Sequence, residues 1–302
     1  MKKFKLVTHS GTFHPDDIFA CASLFMMLGE ENCELVRTRD EAHFVDADFV
    51  FDVGGVYDAK TNRFDHHQIG RAGMHEEKVE GASKVPYASF GLVWKKFGEK
   101  ICGSAEIAQR INEKLILPVD AQDNGVSLFD EKIKGIKEYA VNDVLNTFLP
   151  SWNEVNIKTD DRFIEAVHLA IHILKREIVR MNAKIIGGAK VMEAYQNSKD
   201  KRIIELPGYF PWKEVLNKFP EPLVVVTPRE DGKYQAETVP DGDPSKFIQR
   251  IYFPKSWSGL REEEFAKVSG VPDVVFCHTA LFFVVAKTRD GVLRLAELAL
   301  QQ

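Results

Sequence analysis

An α/β fold in two parts is what this sequence predicts: a larger N-terminal domain built on a mostly parallel sheet flanked by helices, then a smaller C-terminal α+β domain. Three observations carry that expectation. Strand-like and helix-like segments alternate through the first half, and short strands with dense turn punctuation take over further on. The chain has 302 residues, 44% of them apolar, enough for two cores.

The alternation runs from an apolar strand at 4–8 through a helix at 16–28 to strands at 33–37 and 49–52, the pattern of βαβ units. Helices are expected over 86–97 and 104–115, the second from Ala105, Ile107, Ala108, Ile111 and Leu115 at helical spacing. A longer helix over 160–184 keeps Phe163, Val167, Ala170, Leu174 and Ile178 on one face, with Thr159-Asp160-Asp161 as cap and acidic first turn. Gly187-Gly188 then sets apart a short helical piece ending near Ser198, and a domain boundary is expected near residue 195, giving domains 1–195 and 196–302. Strands follow at 202–206, 223–227, 233–239, 274–278 and 281–288, with Pro207-Gly208, Asp231-Gly232 and Asp241-Gly242 as turns, and a helix over 290–300 closes the chain.

A net charge of -5 argues against a protein that coats nucleic acid through lysine and arginine alone. No apolar stretch approaches the roughly 20 residues needed to cross a bilayer, so no membrane partner is expected. Residues 1–8 carry three lysines but too few apolar residues for a secretory leader, which points to the cytoplasm. Cys21, Cys33, Cys102 and Cys277 form no Cys-x-x-Cys pair and read as reduced side chains, with neither a disulfide framework nor a structural zinc site.

The chemistry is concentrated early. Of nine histidines, five lie in the first 70 residues: His9, His14, His43, His66 and His67. The string from His9 to Asp17 follows an apolar strand and opens a helix, so His9, His14 and Asp16 are placed to converge above the carboxyl end of a sheet. As helix-start charges, Asp16 and Asp17 need no further reason, but the two histidines beside them do. Phe51-Asp52-Val53-Gly54-Gly55 ends a second strand in an acid and glycines, and Asp65-His66-His67 is a string with little use in an ordinary turn. Val119-Asp120-Ala121-Gln122-Asp123-Asn124-Gly125 is a fourth apolar run into acids, with Asn124-Gly125 reading equally as a turn. His168 and His172, one helical turn apart without an acidic neighbour in sequence, read as helix packing.

Imidazoles and carboxylates without thiolates suit Mn²⁺, Fe²⁺, Co²⁺ or Zn²⁺ and not an all-oxygen calcium site. Asp16, Asp52, Asp65 and one of Asp120 or Asp123 would bring four carboxylates together, a repulsion that two divalent cations would neutralise. A dinuclear site lowers the pKa of a bound water and clamps the oxygens of a phosphoryl centre, so hydrolysis of a phosphate ester or anhydride is expected.

At these residues the sequence resembles the DHH superfamily of metal-dependent phosphoesterases, for which Asp65-His66-His67 is the name-giving motif. More narrowly it resembles the Myg (melanocyte-proliferating-gene) family, through His9 to Asp17, Phe51 to Gly55, Arg63 to Gln68 and Val119 to Gly125, and further through Tyr87 to Gly98, Trp257 to Phe265 and Val268 to Pro272. The resemblance implies a DHH-like N-terminal domain, two divalent ions with manganese foremost and zinc, cobalt, iron or magnesium as alternatives, and 3′ to 5′ exonuclease activity on RNA or short oligonucleotides, or hydrolysis of a related phosphorylated small molecule. It also implies roles. His9, His14 and Asp16 would bind one metal, Asp52 and Asp65 would lie between or beside both, and His66 with Asp123 would complete the second, Asp120 standing as the alternative. His67, with Asp65 and His66 around it, would face the substrate. The wider superfamily has His-x-x-x-Asp-x-Asp in its first motif, whereas here the spacing is longer and His14 stands in an aspartate's place.

By the same resemblance the C-terminal domain would bind substrate; His278, Lys287 and Arg289 are candidate phosphate contacts there and read equally as solvated charges at a strand end. Thr279 to Ala286 lacks the glycines the family carries after Phe-x-His. From the residues alone, Arg71, Lys78 and Lys84 in the polar loop after the third motif read first as a surface loop and second as a substrate clamp, and Trp257 and Phe247 read first as core packing and second as base-stacking residues. Two other classes fit the same residues: a metal-dependent amide hydrolase, and a non-catalytic scaffold with a structural metal site. A homo-oligomer is compatible with the sequence.

Overall fold

The computed structural model describes residues 3–76, 84–242 and 248–301. Lys78 and Phe247 lie outside the described residues. The chain folds as two compact units, Met1–Met181 and Asn182–Gln302.

The first unit is α/β. Its strands are β1 (Phe4–Thr8), β2 (Cys33–Arg37), β3 (Phe49–Phe51), β4 (Tyr57–Asp58) and β5 (Arg63–Phe64), in the sheet order β2-β1-β3-β5-β4. β1 is parallel to β2 and to β3, and β3 is parallel to β5; only β4 runs antiparallel. Leu6 stands opposite both Leu35 and Phe49, and Leu6, Val7 and Thr8 are fully buried, as in a parallel strand covered on both faces. Helix α1 (Pro15–Leu28) is buried from Pro15 to Phe25, so apolar residues occur all round it rather than on one stripe. It packs on α2 (Ser89–Cys102), where the Phe19 and Phe90 rings stack at 4.9 Å.

The helix expected to stop at 115 continues. α3 (Ala105–Ile111) runs through a π turn, Asn112–Ile116, into α4 (Leu117–Asp123). Pro118 has no N–H to give to a carbonyl one turn back, and the wider turn before it accommodates both the missing bond and the ring. Asp120 and Asp123 therefore stand on a helix, and Asn124 with Gly125 at φ +69° ends it. A short α5 (Val141–Asn146), absent from the sequence reading, is pinned by fully buried Leu145.

Gly187-Gly188 does not interrupt the next helix. α6 (Thr159–Asn197) is a single element of 39 residues, and the units divide within it after Met181, earlier than the boundary near 195 expected from the sequence. A Cβ on Gly187 would stand 2.8 Å from Pro211 Cδ, so close packing accounts for glycine there and offsets its poor helix propensity. His168 is not packed as expected: it is exposed, with Nε2 2.9 Å from Glu30 Oε1.

The second unit continues with β6 (Ile203–Glu205), α7 (Lys213–Leu216), β7 (Val224–Pro228), β8 (Tyr234–Thr238), α8 (Glu262–Ser269), β9 (Val274–Cys277), β10 (Phe283–Ala286) and α9 (Arg289–Ala299). Its sheet, β6-β7-β8-β10-β9, is mixed: β6 and β7 are parallel and the rest antiparallel. Val224, Phe253, Trp257, Phe265, Val284 and Leu295 fill its core, so Trp257 is a packing residue. The four cysteines are free thiols. Among the described residues no helix is long and apolar enough to cross a membrane.

Candidate metal centre

The strand order places β1 between β2 and β3, so the chain leaves β1 toward one edge and returns on its other side. In open α/β sheets such a reversal opens a crevice at the carboxyl ends of the strands. Here those ends carry the predicted residues: His9 follows β1, Asp52 follows β3, and Asp65, His66 and His67 follow β5.

Each is held by local geometry. Asp52 takes φ +55°, a left-handed conformation uncommon for a side-chain-bearing residue, at the bend where β3 ends. Gly55, at φ +67°, then aims its N–H at Asp65 Oδ2, 2.5 Å away. Asp65 Oδ1 accepts from His67 N at 3.1 Å and lies 2.7 Å from His67 Nδ1, which fixes the imidazole two residues on. His14 is the N-cap of α1, its backbone N–H donating to Asp17 Oδ1 at 2.9 Å, and Asp16 and Asp17 project from the first turn into the protein.

These residues meet. His9 Nε2 lies 3.1 Å from Asp17 Oδ2 and 3.2 Å from Asp52 Oδ2. His66 Nε2 lies 3.3 Å from Asp52 Oδ1, 3.4 Å from Asp123 Oδ2 and 3.9 Å from Asp16 Oδ2. Three sets of potential ligand atoms each fall within 4.8 Å: His9, His14 and Asp52; His14, Asp16 and Asp123; and Asp52, Asp65, His66 and His67. Asp52 and His14 each belong to two sets. The sets group Asp16 with Asp123, where the sequence reading grouped it with His9.

The electrostatics show what the arrangement lacks. Burial, reinforced by Asp52 and Asp123, pushes the Asp16 carboxyl well above the usual carboxylate range, and its Oδ1 is buried without a hydrogen-bond partner. Burial likewise raises Asp17 and Asp123. Burial also acts on Asp52, but His66 and His9 outweigh it and hold that carboxyl low. Burial opposes protonation of His9, yet Asp17 and Asp52 prevail and lift it to about 10. Histidine nitrogens and carboxylate oxygens crowded in low dielectric, with Asp16 Oδ1 orphaned among them, fit a site for divalent cations.

Residues 5–300 match the MYG1 exonuclease family model, described as "Uncharacterised protein family (UPF0160)". The chain belongs to this family. The MYG1 exonucleases of mouse and human are each 32% identical to it, over 99% of this chain and 85% and 86% of theirs. A MYG1 protein of Chlamydia pneumoniae is 30% identical, over 97% of this chain and 96% of its own. Among solved structures, an exopolyphosphatase-related protein from Bacteroides fragilis is 13% identical, covering 99% of this chain and 92% of its own, at a TM-score of 0.24, which carries no argument about the fold.

In this MYG1-family chain the cleft above the cluster has a volume of about 740 Å³, and its walls include His14, His67, Arg71, Asp123, Asn142 and Asn146. Arg71 stands at φ +62°. Asp120 is not in any of the three sets. It is fully buried one turn earlier on α4, with Oδ2 2.7 Å from His75 Nε2 and Oδ1 accepting from Gly91 N at 3.1 Å. In the second unit, the Arg289 guanidinium is engaged by Glu205, with Nη2 2.6 Å from Oε2, and exposed Lys287 continues the strand end. His278 Nδ1 accepts from Ala280 N at 3.0 Å, closing a turn in which Leu281 takes φ +61°. Sequence reasoning passed over Asp17 as a partner of His9, and also His75, Ser89 and Gly91. The run Tyr87 to Gly98 contained the last two, but nothing in it says which carboxylates they meet.

Proposed function

We propose that the protein is a DHH-type phosphoesterase that uses two divalent metal ions, manganese foremost, to remove nucleotides from the 3′ end of RNA or short oligonucleotides. The observation that carries this reading is the sharing of Asp52 and His14 among three ligand sets at the carboxyl ends of three parallel strands. His9, His14 and Asp52 would hold one ion, and Asp16, Asp123, Asp52 and His66 the other, with Asp65 beside them. Bound there, the pair of ions supplies an activated water and a clamp on the phosphoryl oxygens.

The chain's own residues do the rest. His67 is mostly exposed to the cleft, and Asp65, 2.7 Å from its Nδ1, raises its pKa, which favours the ring that carries a proton at Nε2 as well. That proton is available to the leaving oxygen as a phosphodiester bond breaks. Arg71 offers a cation to a substrate phosphate at the cleft wall, and Asn142 and Asn146 offer amides to sugar and phosphate. A volume of about 740 Å³ suits the end of a strand rather than a duplex. The family name of the mammalian relatives supports the exonuclease reading.

The test is metal content of protein purified without chelator, together with a 5′-labelled RNA incubated in Mn²⁺ with wild type and Asp65→Asn. Two ions per chain and a ladder shortening from the 3′ end, lost in the variant, are expected. Ions without RNA cleavage would move the substrate to small phosphate esters, and absence of bound metal would overturn the mechanism.

A further inference from the structure

The N-terminus of α2 lies beneath the cluster, and its own sequence does not cap it. Ala88 occupies the N-cap position, where a serine or aspartate would ordinarily accept from the first-turn amides. Side chains from elsewhere accept instead. Ser89 N donates to Asp16 Oδ2 at 3.3 Å, and Gly91 N donates to Asp120 Oδ1 at 3.1 Å. The Ser89 hydroxyl donates to Asp52 Oδ1 at 3.2 Å. A single fully buried residue thus holds one carboxylate from α1 and another from the end of β3.

Asp52 has the most to gain from being held. Its Oδ2 faces His9 at 3.2 Å, while its Oδ1 faces His66 at 3.3 Å and His67 at 3.6 Å, so each oxygen serves a different ligand set. Rotation about the carboxylate bond would break that division. The Ser89 hydroxyl lies on the Oδ1 side and opposes the rotation, and the positive end of the α2 dipole favours the charged form of both aspartates.

We propose that Ser89 is a positioning residue of the metal centre, orienting Asp52 through its hydroxyl and Asp16 through its amide so that both ligand sets are formed before metal arrives. This rests on the two-metal reading above. Donors to ligating carboxylates act through the ligand rather than on the metal, and their loss typically weakens metal affinity by roughly 10- to 100-fold.

The test is a calorimetric Mn²⁺ titration of the metal-free full chain, with thermal midpoints measured with and without Mn²⁺, for wild type, Ser89→Ala, Ser23→Ala and Asp52→Asn. Ser23 is as fully buried, and its hydroxyl donates to Phe19 O within α1, so its variant reports the loss of a buried hydroxyl away from the cluster. Ser89→Ala is expected to bind Mn²⁺ about 10- to 100-fold more weakly and to show a smaller Mn²⁺-dependent rise in midpoint. Ser23→Ala should bind as wild type does, and Asp52→Asn should lose at least one ion. Ser89→Cys keeps the volume with a weak donor and gives the same reading should the alanine variant fold poorly. Wild-type affinity in both Ser89 variants, or equal weakening in Ser23→Ala, overturns the positioning role while Asp52→Asn still loses metal. Wild-type binding by Asp52→Asn overturns the metal reading itself.

Discussion

Asp120 and Asp123 leave α4 one turn apart and reach opposite circumstances. On the sealed side, Asp120 is fully buried between His75 and the Gly91 amide, and both of its oxygens have donors within reach. On the cleft side, Asp123 is half-buried among Asp16, Asp52 and His66. The same residue type is a strut in the first setting and a ligand candidate in the second. Full burial against two donors, as opposed to half-burial among other acids and an imidazole, separates the two roles.

The comparison breaks most sharply at Gly91. A Cβ there would stand 1.9 Å from Asp120 Oδ2 and 2.8 Å from Tyr87 Cδ1, so the sealed side has no room for it. Gly91→Ala is expected to lower unfolding free energy by about 3 kcal/mol, measured by denaturant titration. A change below about 0.5 kcal/mol would mean that the strut is not rigid. The two aspartates come next. Asp123→Asn should weaken Mn²⁺ binding by roughly 100-fold or more with little change in metal-free stability. Asp120→Asn should leave the metal stoichiometry at its wild-type value and cost about 1–2 kcal/mol. Exchange of those outcomes in paired titrations would reverse the assignment.

Much of this was legible in the sequence, and the reason is local. Strand periodicity followed by Gly54-Gly55 marks where Asp52 ends a strand, and Asp65-His66-His67 or the run from His9 to Asp17 declares itself within a few residues. What was hidden depends on partners far along the chain. Ser89 meets Asp16 across 73 residues and Gly91 meets Asp120 across 29, and neither has a local pattern to announce it. Asp120 and Asp123 are equivalent to any reading that stops at residue type, because the partners each meets come from distant parts of the chain. Gly187-Gly188 misled in the other direction: the closeness of Pro211, which leaves no room for a side chain at Gly187, is tertiary.

A smaller effect separates the two sides by pH. Metal-free His9, lifted from 6.5 to about 10 by Asp17 and Asp52 against the opposing effect of burial, contributes stability that is complete below about 6.5 and lost as pH rises toward 10. Asp120, raised by burial from 3.8 to about 6, contributes stability present below about 4 and lost as pH rises through 6. Both slopes fall with rising pH. Mn²⁺ would take the neutral imidazole of His9 and remove its slope, leaving that of Asp120. Thermal midpoints in chelator should therefore decline from about pH 6 to pH 9, and the decline should flatten in Mn²⁺. Parallel profiles would place His9 outside the metal centre.

The smallest expected effects distinguish cations rather than acids. Arg71 lines the cleft, whereas the guanidinium of Arg289 is engaged by Glu205 on the exposed surface of the second unit. An exposed pair of this kind contributes about 0–1 kcal/mol, screened by salt, so Arg289→Ala should scarcely move stability. If its charge is already committed to Glu205, turnover of a short oligonucleotide should also stay within about twofold. Arg71→Ala should instead raise KM roughly 10-fold while leaving kcat largely unchanged, as expected for a cation that binds a phosphate equally in ground and transition states. A larger KM effect at Arg289 than at Arg71 would mean that substrate phosphate displaces Glu205, and would make the second unit, not the cleft wall, the principal phosphate contact.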